Sequence, residues 1–215
     1  MTAILPGEVF VETADFDEGI RRLLPDYETL LTAIARCVPP TCRRVVDLGC
    51  GTGELSLRIL ARLPEVQVAA VDYSPRMLAR AREKIEAAGW GDRWQGYEAD
   101  FGDWVLPSCD ACVSSLAIHH LENEMKRVLF GRIAAALTLG GWFWNGDPVL
   151  PESPWLATVY AEARPPESEV AAVRARMGVS VVHGHSGPDR LATVAEHLEM
   201  LRAAGFQTVA VPWKV

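Results

Sequence analysis

The spacing of apolar positions changes several times along the chain. The opening stretch "TADFDEGIRRLLPDYETLLTAIARCVPP" reads as two helices, parted by Pro25 and closed by Pro39–Pro40. From there the pattern alternates. "RRVVDLG" and "VQVAAVD" are short continuous apolar runs, the mark of buried strands. Between them "GELSLRILARL" places Leu55, Ile59 and Leu63 on one helical face. "SPRMLARAREKIEAAG" is a helix with Ser74 as its cap, Pro75 at its first position and Gly89 past its end. Its apolar face holds Met77, Leu78, Ala81, Ile85 and Ala88. "RWQGYEAD" and "DACVSSL" predict two more strands, and "NEMKRVLFGRIAAAL" a helix closed by Gly140–Gly141. "WFWNGD" is a fifth strand.

Past that point the rhythm breaks. Residues 148–188 are rich in Pro, Glu, Arg and Gly, with two helices expected near 154–164 and 167–177. A helix over about 189–204 follows, apolar at Leu191, Val194, Ala195, Leu198 and Leu201. Gly205 ends it, and "QTVAVPW" is expected as a last strand. Strands alternating with helices predict an α/β fold with a doubly wound, mostly parallel sheet covered on both faces. In such sheets a ligand sits beyond the carboxyl ends of the strands, so the residues following each strand are the place to look.

Composition narrows the function. The chain has 215 residues, of which 49% are hydrophobic. A domain of that size buries about 70% of its unfolded surface and folds without metal or disulfide. The formal charge of −7 argues against nucleic acid and anionic membrane as partners, since both select a positive footprint. No run of about 20 apolar residues is present to span a bilayer. Five cysteines, an odd number without a secretory signal, suggest reduced thiols and a cytoplasmic location. The CxxC spacing of "CDAC" has no second pair to complete a metal site, and strand residues three apart point to opposite faces. Buried strand cysteines fit it better.

The chemistry concentrates in "VVDLGCGTGELS", residues 45–56, where a strand runs into Gly49, Gly51 and Gly53 and then a helix. Bare glycines let a ligand approach the backbone. A dinucleotide fingerprint would want a third small residue at position 54, but Glu54 stands there, and an acid at a helix start repels a pyrophosphate. No Lys-Ser/Thr pair follows for a phosphate loop. The turn therefore suits a nucleoside without phosphates, and Asp47 suits a cationic group on it. Asp72 ends the second strand, where an acid can hold ribose hydroxyls. Asp100 ends the third beside Phe101, an aromatic that could pack on a base.

"VVDLGCGTG", "VDYSPRMLARARE", "EADF" and "SSLAIHHL" resemble the ordered motifs of the class I S-adenosylmethionine-dependent methyltransferases. The resemblance runs over residues 25–147 and resumes at "HLEMLRAAGF". It implies a Rossmann-like fold, S-adenosylmethionine as cofactor with S-adenosylhomocysteine as product, and a small-molecule acceptor. It also implies that Asp47, Gly49, Cys50 and Gly51 line the methionine part and that Asp72 takes the ribose with Tyr73 beside it. Met77 joins that cofactor-binding set. Asp100 and Phe101 would meet the adenine, and Ser115 and Leu116 lie below the sulfonium. "PDYETLL" is similar to a segment of the carboxy-S-adenosylmethionine synthase branch in which a tyrosine reaches the methionine part, which carries over to Tyr27. On this basis the chain is one domain: N-terminal helices over 1–40, a nucleoside-binding core over 41–147, a cap insertion over 148–188, and a last helix and strand over 189–215.

His119 and His120, after the fourth strand, are the candidates for a general base, against the plainer alternative that they shape the pocket. His183 and His185 form a second pair, read as solvated loop residues, and no metal is expected. Asp147 either touches the acceptor or starts the turn before Pro148. Trp142 and Trp144 are expected in the core. Alternatives to methyl transfer are a tRNA-modification enzyme, a carboxy-S-adenosylmethionine synthase-like enzyme, and a non-catalytic binding module. Class I members usually end in a hairpin whose seventh strand inserts beside the fifth. "FQTVAVPWKV" supplies only a sixth, so the seventh is expected to be missing. The last strand would then pair directly with the fifth, or another chain would fill the gap, or the natural end lies further on. A shortened end with homodimer formation through the exposed edge is the expectation.

Overall fold

A computed structural model describes residues 13–24, 26–162, 165–176 and 189–214. The leading helices are α1 (Thr13–Leu23) and α2 (Tyr27–Cys37). The alternating core follows as β1 (Arg44–Leu48), α3 (Glu54–Arg62), β2 (Gln67–Asp72), α4 (Pro75–Ala87), β3 (Trp94–Glu98), β4 (Cys109–Ser115), α5 (Asn123–Ala136) and β5 (Leu137–Gly146). Then come α6 (Pro154–Glu162), α7 (Glu167–Arg176) and α8 (Val194–Ala203). The five strands form one sheet in the order β3-β2-β1-β4-β5, and every pairing is parallel. The order reverses between β1 and β4, which puts the switch point at the glycine turn.

Alternation along the strands builds two cores. Val45, Val68, Ala111 and Val113 face Leu31, Ile34, Ile59, Leu60 and Ile85 on one side. Val46, Leu48, Val71 and Cys112 face Leu129, Phe130, Ile133 and Met200 on the other. Cys109 and Cys112 share this second core rather than opposite faces, because the register shifts between Cys109 and Ala111. Both thiols are free and buried.

Three expectations change. The pair Gly140–Gly141 does not close α5, which ends at Ala136; β5 begins at once with Leu137 paired to Cys109. The next pairing is Ala111 with Trp142, so residues 138–141 form an excursion from the ladder. Gly140 takes it round at φ +78, and a Cβ at Gly141 would stand 2.8 Å from the Thr138 carbonyl. Helix α8 starts at Val194, not 189. Thr193 Oγ1 accepts from the Glu196 N–H and the Glu196 carboxylate accepts from the Thr193 N–H, a capping box that fixes the start. The preceding residues run extended, with the Leu150 N–H donating to the Ala192 carbonyl.

The expected sixth strand does not form. Residues 206–214 carry no regular structure and no ladder joins them to β5, so the sheet ends at β5 among the described residues. The reason lies in what holds this segment. Gly205 turns the chain at φ +99, Phe206 packs its ring 6.0 Å from that of Phe143, and Lys214 sits 5.3 Å over Tyr160. Side-chain contacts thus hold the two ends of the segment, one against β5 and one against α6, with no backbone ladder between it and β5 among the described residues.

The cap of α8 gives a direct test. Thr193→Ala removes the hydroxyl that accepts the Glu196 N–H and is expected to cost about 1 kcal/mol of stability in urea denaturation. An unchanged midpoint would mean that the box does not set the helix start.

Candidate active site

One cavity of about 1730 Å³ opens at the carboxyl end of the sheet. Its lining brings together Tyr27, Asp47, Gly49, Cys50, Gly51, Asp72, Tyr73, Met77, Asp100, Phe101, Ser115, Leu116, His119 and His120. These residues come from the ends of four strands and from α2 and α4. Parallel strands place all their carboxyl ends at one edge, so distant motifs meet there. His183 and His185 lie outside the described residues.

The glycine turn is locked to β2. The Gly49 and Cys50 N–H groups both donate to the Val71 carbonyl, at 2.8 and 3.1 Å. The Gly51 N–H donates to Asp72 Oδ2 at 2.7 Å. Three successive N–H groups are therefore committed to β2. A phosphate cradle needs such groups free, so the geometry gives the loop no anion nest. Gly49 has φ +68, and a Cβ there would lie 2.3 Å from that of Ala117. No side chain fits.

The other oxygen of Asp72 accepts the Ser74 N–H at 2.9 Å, so one carboxylate ties the glycine turn to the start of α4. Burial pushes its pKa up against the pull of those backbone bonds. Asp47, 1% exposed, accepts the Ser56 hydroxyl at 2.6 Å, and the Trp94 indole N–H steadies that hydroxyl at 3.2 Å. Burial, with Asp72 nearby, pushes the Asp47 carboxyl up to about 7. Burial and the same two acids push the Cys50 thiol up. Asp100 Oδ1 accepts the Gly102 N–H at 2.8 Å, which turns the chain after β3.

Glu54 does not stand as a bare acid at the start of α3. Lys84 pairs with it, Arg21 reaches it at 2.8 Å and Arg58 at 3.0 Å. Burial would raise its pKa, but Lys84 and the two guanidinium groups hold it below the usual carboxylate range. Lys84 also meets Asp17 at 2.7 Å, and Asp17 accepts the Thr52 hydroxyl. This cluster pins α1 over the glycine turn, so that Phe16, Ile20 and Leu23 join the cavity lining. Tyr27 is buried beneath Arg21, whose guanidinium is 6.0 Å from the ring, and burial pushes its phenol up.

At the end of β4 the backbone is bent. Leu116 has φ +55, the only positive φ of a non-glycine among the described residues, and its N–H donates to the Gly146 carbonyl at 2.9 Å. Ser115 Oγ beside it is buried with no protein partner. Residues 118–120 form a single 3-10 turn that carries both histidines. His119 Nδ1 lies 2.8 Å from Asp147 Oδ1, and the two side chains are 9% and 2% exposed. Burial would raise the Asp147 carboxyl, but the His119 bond and charge hold it low. Asp147 thus commits Oδ1 to His119, and the residue also lines the cavity. Sequence reasoning missed Asp189, whose Oδ1 is 3.5 Å from His119 Nε2. Trp142 is not core as expected. It is 41% exposed and stacks 5.5 Å from Trp144 on the cavity wall.

Comparison with known proteins follows this geometry. Residues 45–141 match the family described as "Methyltransferase domain". A carboxy-S-adenosyl-L-methionine synthase from Chromohalobacter salexigens is 30% identical over 210 residues, covering 92% of this chain and 75% of that one. The chain belongs to the class I S-adenosylmethionine-dependent methyltransferase family. A trans-aconitate 2-methyltransferase of Mycobacterium ulcerans is 36% identical over 135 residues, 61% of this methyltransferase chain and 46% of that relative. The chain spans less than half the length of the first curated relatives it matches. Among solved structures, YcgJ of Bacillus subtilis superposes with a TM-score of 0.61 at 21% identity, over 83% of this chain and 68% of that one. CalO1, a methyltransferase in calicheamicin biosynthesis solved with S-adenosylhomocysteine, gives 0.59 at 22% identity, over 89% and 49%. These likenesses show the fold.

Asp47 makes the methyltransferase chain's stability depend on pH. Its folded pKa, about 7, lies above the ordinary 3.8. The stability it contributes is complete below pH about 4 and is lost as pH rises towards 7. Asp47→Asn is expected to flatten that decline in ligand-free protein, read as denaturation midpoint against pH. A slope between pH about 5 and 7 that survives the substitution would place the titration elsewhere.

Proposed function

We propose that this chain binds S-adenosylmethionine in the cavity and transfers its methyl group to a small-molecule acceptor. The observation that carries the reading is the convergence of Asp47, the glycine turn, Asp72 and Asp100 on one cavity whose glycine N–H groups are already spent. That site suits a ligand with hydroxyls and an ammonium group and no phosphate. The fit extends to the closed approach at Gly49, where only bare backbone has room, and to Ser115 Oγ, buried and open to a partner.

In this reading Asp47 and the turn hold the amino-acid part, Cys50 and Tyr27 close over it, and Asp72 with Tyr73 takes the ribose. Met77, Asp100 and Phe101 enclose the base. Ser115 and Leu116 stand under the reactive centre, with His119 and His120 on the acceptor side. Bound there, the donor supplies an activated methyl on a sulfonium, which forms its new bond as the carbon–sulfur bond breaks. The chain's task is alignment and exclusion of water. The segments α1 and α6–α7 supply the exclusion, since Phe16, Tyr160 and Val170 all line the cavity.

The lining also bears on the acceptor. Among the described residues it contains no arginine, and its one lysine, Lys214, is engaged with Tyr160. A carboxylated donor or a polyanionic acceptor wants guanidinium partners. The wall of Leu30, Ile34, Trp142 and Trp144 instead favours a neutral, largely apolar acceptor. The acidic surface charge disfavours tRNA. The free cysteines and the absence of any described helix able to cross a membrane are consistent with a reducing cytoplasmic setting.

Calorimetry with S-adenosylmethionine and S-adenosylhomocysteine is expected to give micromolar binding, and NAD none. Asp72→Asn is expected to weaken the donor by about 1–3 kcal/mol. Donor binding that is absent in the parent, or undiminished in the variant, contradicts the assignment. Methyl release on a panel of apolar hydroxylated acceptors then separates an enzyme from a binding module.

The edge of β5, which pairs with no further strand among the described residues and has Leu139 and Trp142 exposed, supports self-association as a second expectation. Sedimentation across a concentration series is expected to show dimer at high concentration. A sedimentation coefficient that stays at the monomer value throughout would refute it.

A further inference from the structure

Beyond methyl transfer, one cluster has the composition and spacing of a metal site. His119, His120 and Asp189 each offer one ligand atom, and all three atoms lie within 4.8 Å of one another. His119 Nε2 is 3.5 Å from Asp189 Oδ1, and His120 Nδ1 is 3.9 Å from the same oxygen. These separations are too long for good hydrogen bonds, which prefer about 2.7–3.2 Å. They are close to the roughly 3.4 Å between two ligands of a tetrahedral ion bound at about 2.0–2.2 Å. Two imidazole nitrogens and a carboxylate oxygen are the donor set of an open zinc-type site, which leaves a position free.

The supporting shell is also present. A ligating histidine usually gives its other ring N–H to a carboxylate, which fixes ring and tautomer. His119 does this through Nδ1 to Asp147 Oδ1 at 2.8 Å, leaving Nε2 directed at Asp189. Asp189 is placed by the residue after it. The Arg190 N–H donates to the His119 carbonyl at 2.8 Å, and the buried Lys126 ammonium donates to the Arg190 carbonyl. The guanidinium of Arg190 meets Glu122 at 2.8 Å. The carboxylate is thus carried on a segment docked to the histidine turn itself. All three ligands line the cavity.

We propose that His119, His120 and Asp189 bind a divalent transition-metal ion of the zinc class, with Asp147 orienting His119. The ion's open position faces the cavity. If the methyl-transfer reading holds, that position receives the acceptor's oxygen and gives a polar anchor beside the apolar wall of Leu30, Ile34, Trp142 and Trp144. This role rests on that reading, whereas the ion site itself does not.

Cobalt(II) titrated into metal-free full chain tests it. One ion per chain is expected, with the intense visible absorption of four- or five-coordinate cobalt, displaced by zinc. Asp189→Asn and His120→Asn are each expected to weaken binding at least about tenfold, and Asp147→Asn by about 10–100-fold. Asp189 and His120 are partly exposed, so these two variants are expected to fold, with circular dichroism as the check. No visible band, or a band that survives in both variants, overturns the proposal and leaves an ion-pair cluster. Calorimetry with S-adenosylmethionine on the same samples reads the other hypothesis separately. Parent protein that takes cobalt but no donor refutes methyl transfer and keeps the ion site.

Discussion

The fork made by Asp72 is the contact on which the rest of this site depends. One oxygen holds the Gly51 N–H and the other the Ser74 N–H, while the Val71 carbonyl just before it takes the N–H groups of Gly49 and Cys50. The end of β2 therefore determines both the path of the glycine turn and the start of α4. This is backbone satisfaction of the ordinary kind, since buried N–H groups need partners. Its consequence is chemical. A turn whose N–H groups are spent internally offers a ligand close approach without an anion trap. The same glycine-rich outline that elsewhere grips a diphosphate here suits an uncharged ribose and a cationic tail.

Electrostatics complete that selectivity. Asp47 and Asp72 are both buried near the turn; burial raises both carboxyls, and the charge of Asp72 makes Asp47 harder still to ionise. An ammonium or sulfonium group entering the cavity relieves that strain, and an anion would add to it. Glu54 adds no third bare charge, because Lys84, Arg21 and Arg58 neutralise it. Because Lys84 and Arg21 also engage Asp17 and Glu28, the pairs that quiet Glu54 are the ones that fix α1 above the turn. Partly buried, networked pairs of this kind contribute more than isolated surface pairs.

Much of this was legible in the sequence because the signals are local. Strand ends followed by Asp47, Asp72 and Asp100 are read from neighbours a few residues apart, and the parallel topology brings them together. What escaped depends on contacts through space. Gly140–Gly141 looks like a helix stop, but its role as a strand excursion depends on the partner strand's register at Ala111. "QTVAVPW" has strand composition, yet pairing needs backbone in register with β5, and the contacts that hold the segment are made by side chains, Phe206 on Phe143 and Lys214 over Tyr160. Trp142 has a core residue's composition but faces the cavity. Asp189 carries no motif at all; it reaches His119 only because Lys126 and Arg190 dock its segment.

The pairing of β4 with β5 explains why polar chemistry gathers at His119. The register sets Ser115 opposite Gly146, so the chain leaves both strands at the same level. Leu116, in its positive-φ conformation, donates its N–H back to the Gly146 carbonyl and turns the following residues towards β5 rather than out into solvent. His119 then arrives beside Asp147, the residue next after Gly146. A left-handed leucine costs about 1 kcal/mol or more, and such strain persists only where the surroundings over-determine it. Here the strand register on one side and the buried His119–Asp147 bond on the other do so. With Nδ1 committed to Asp147, only Nε2 remains for chemistry at the cavity. One bent residue thereby fixes which face of the imidazole the site can use.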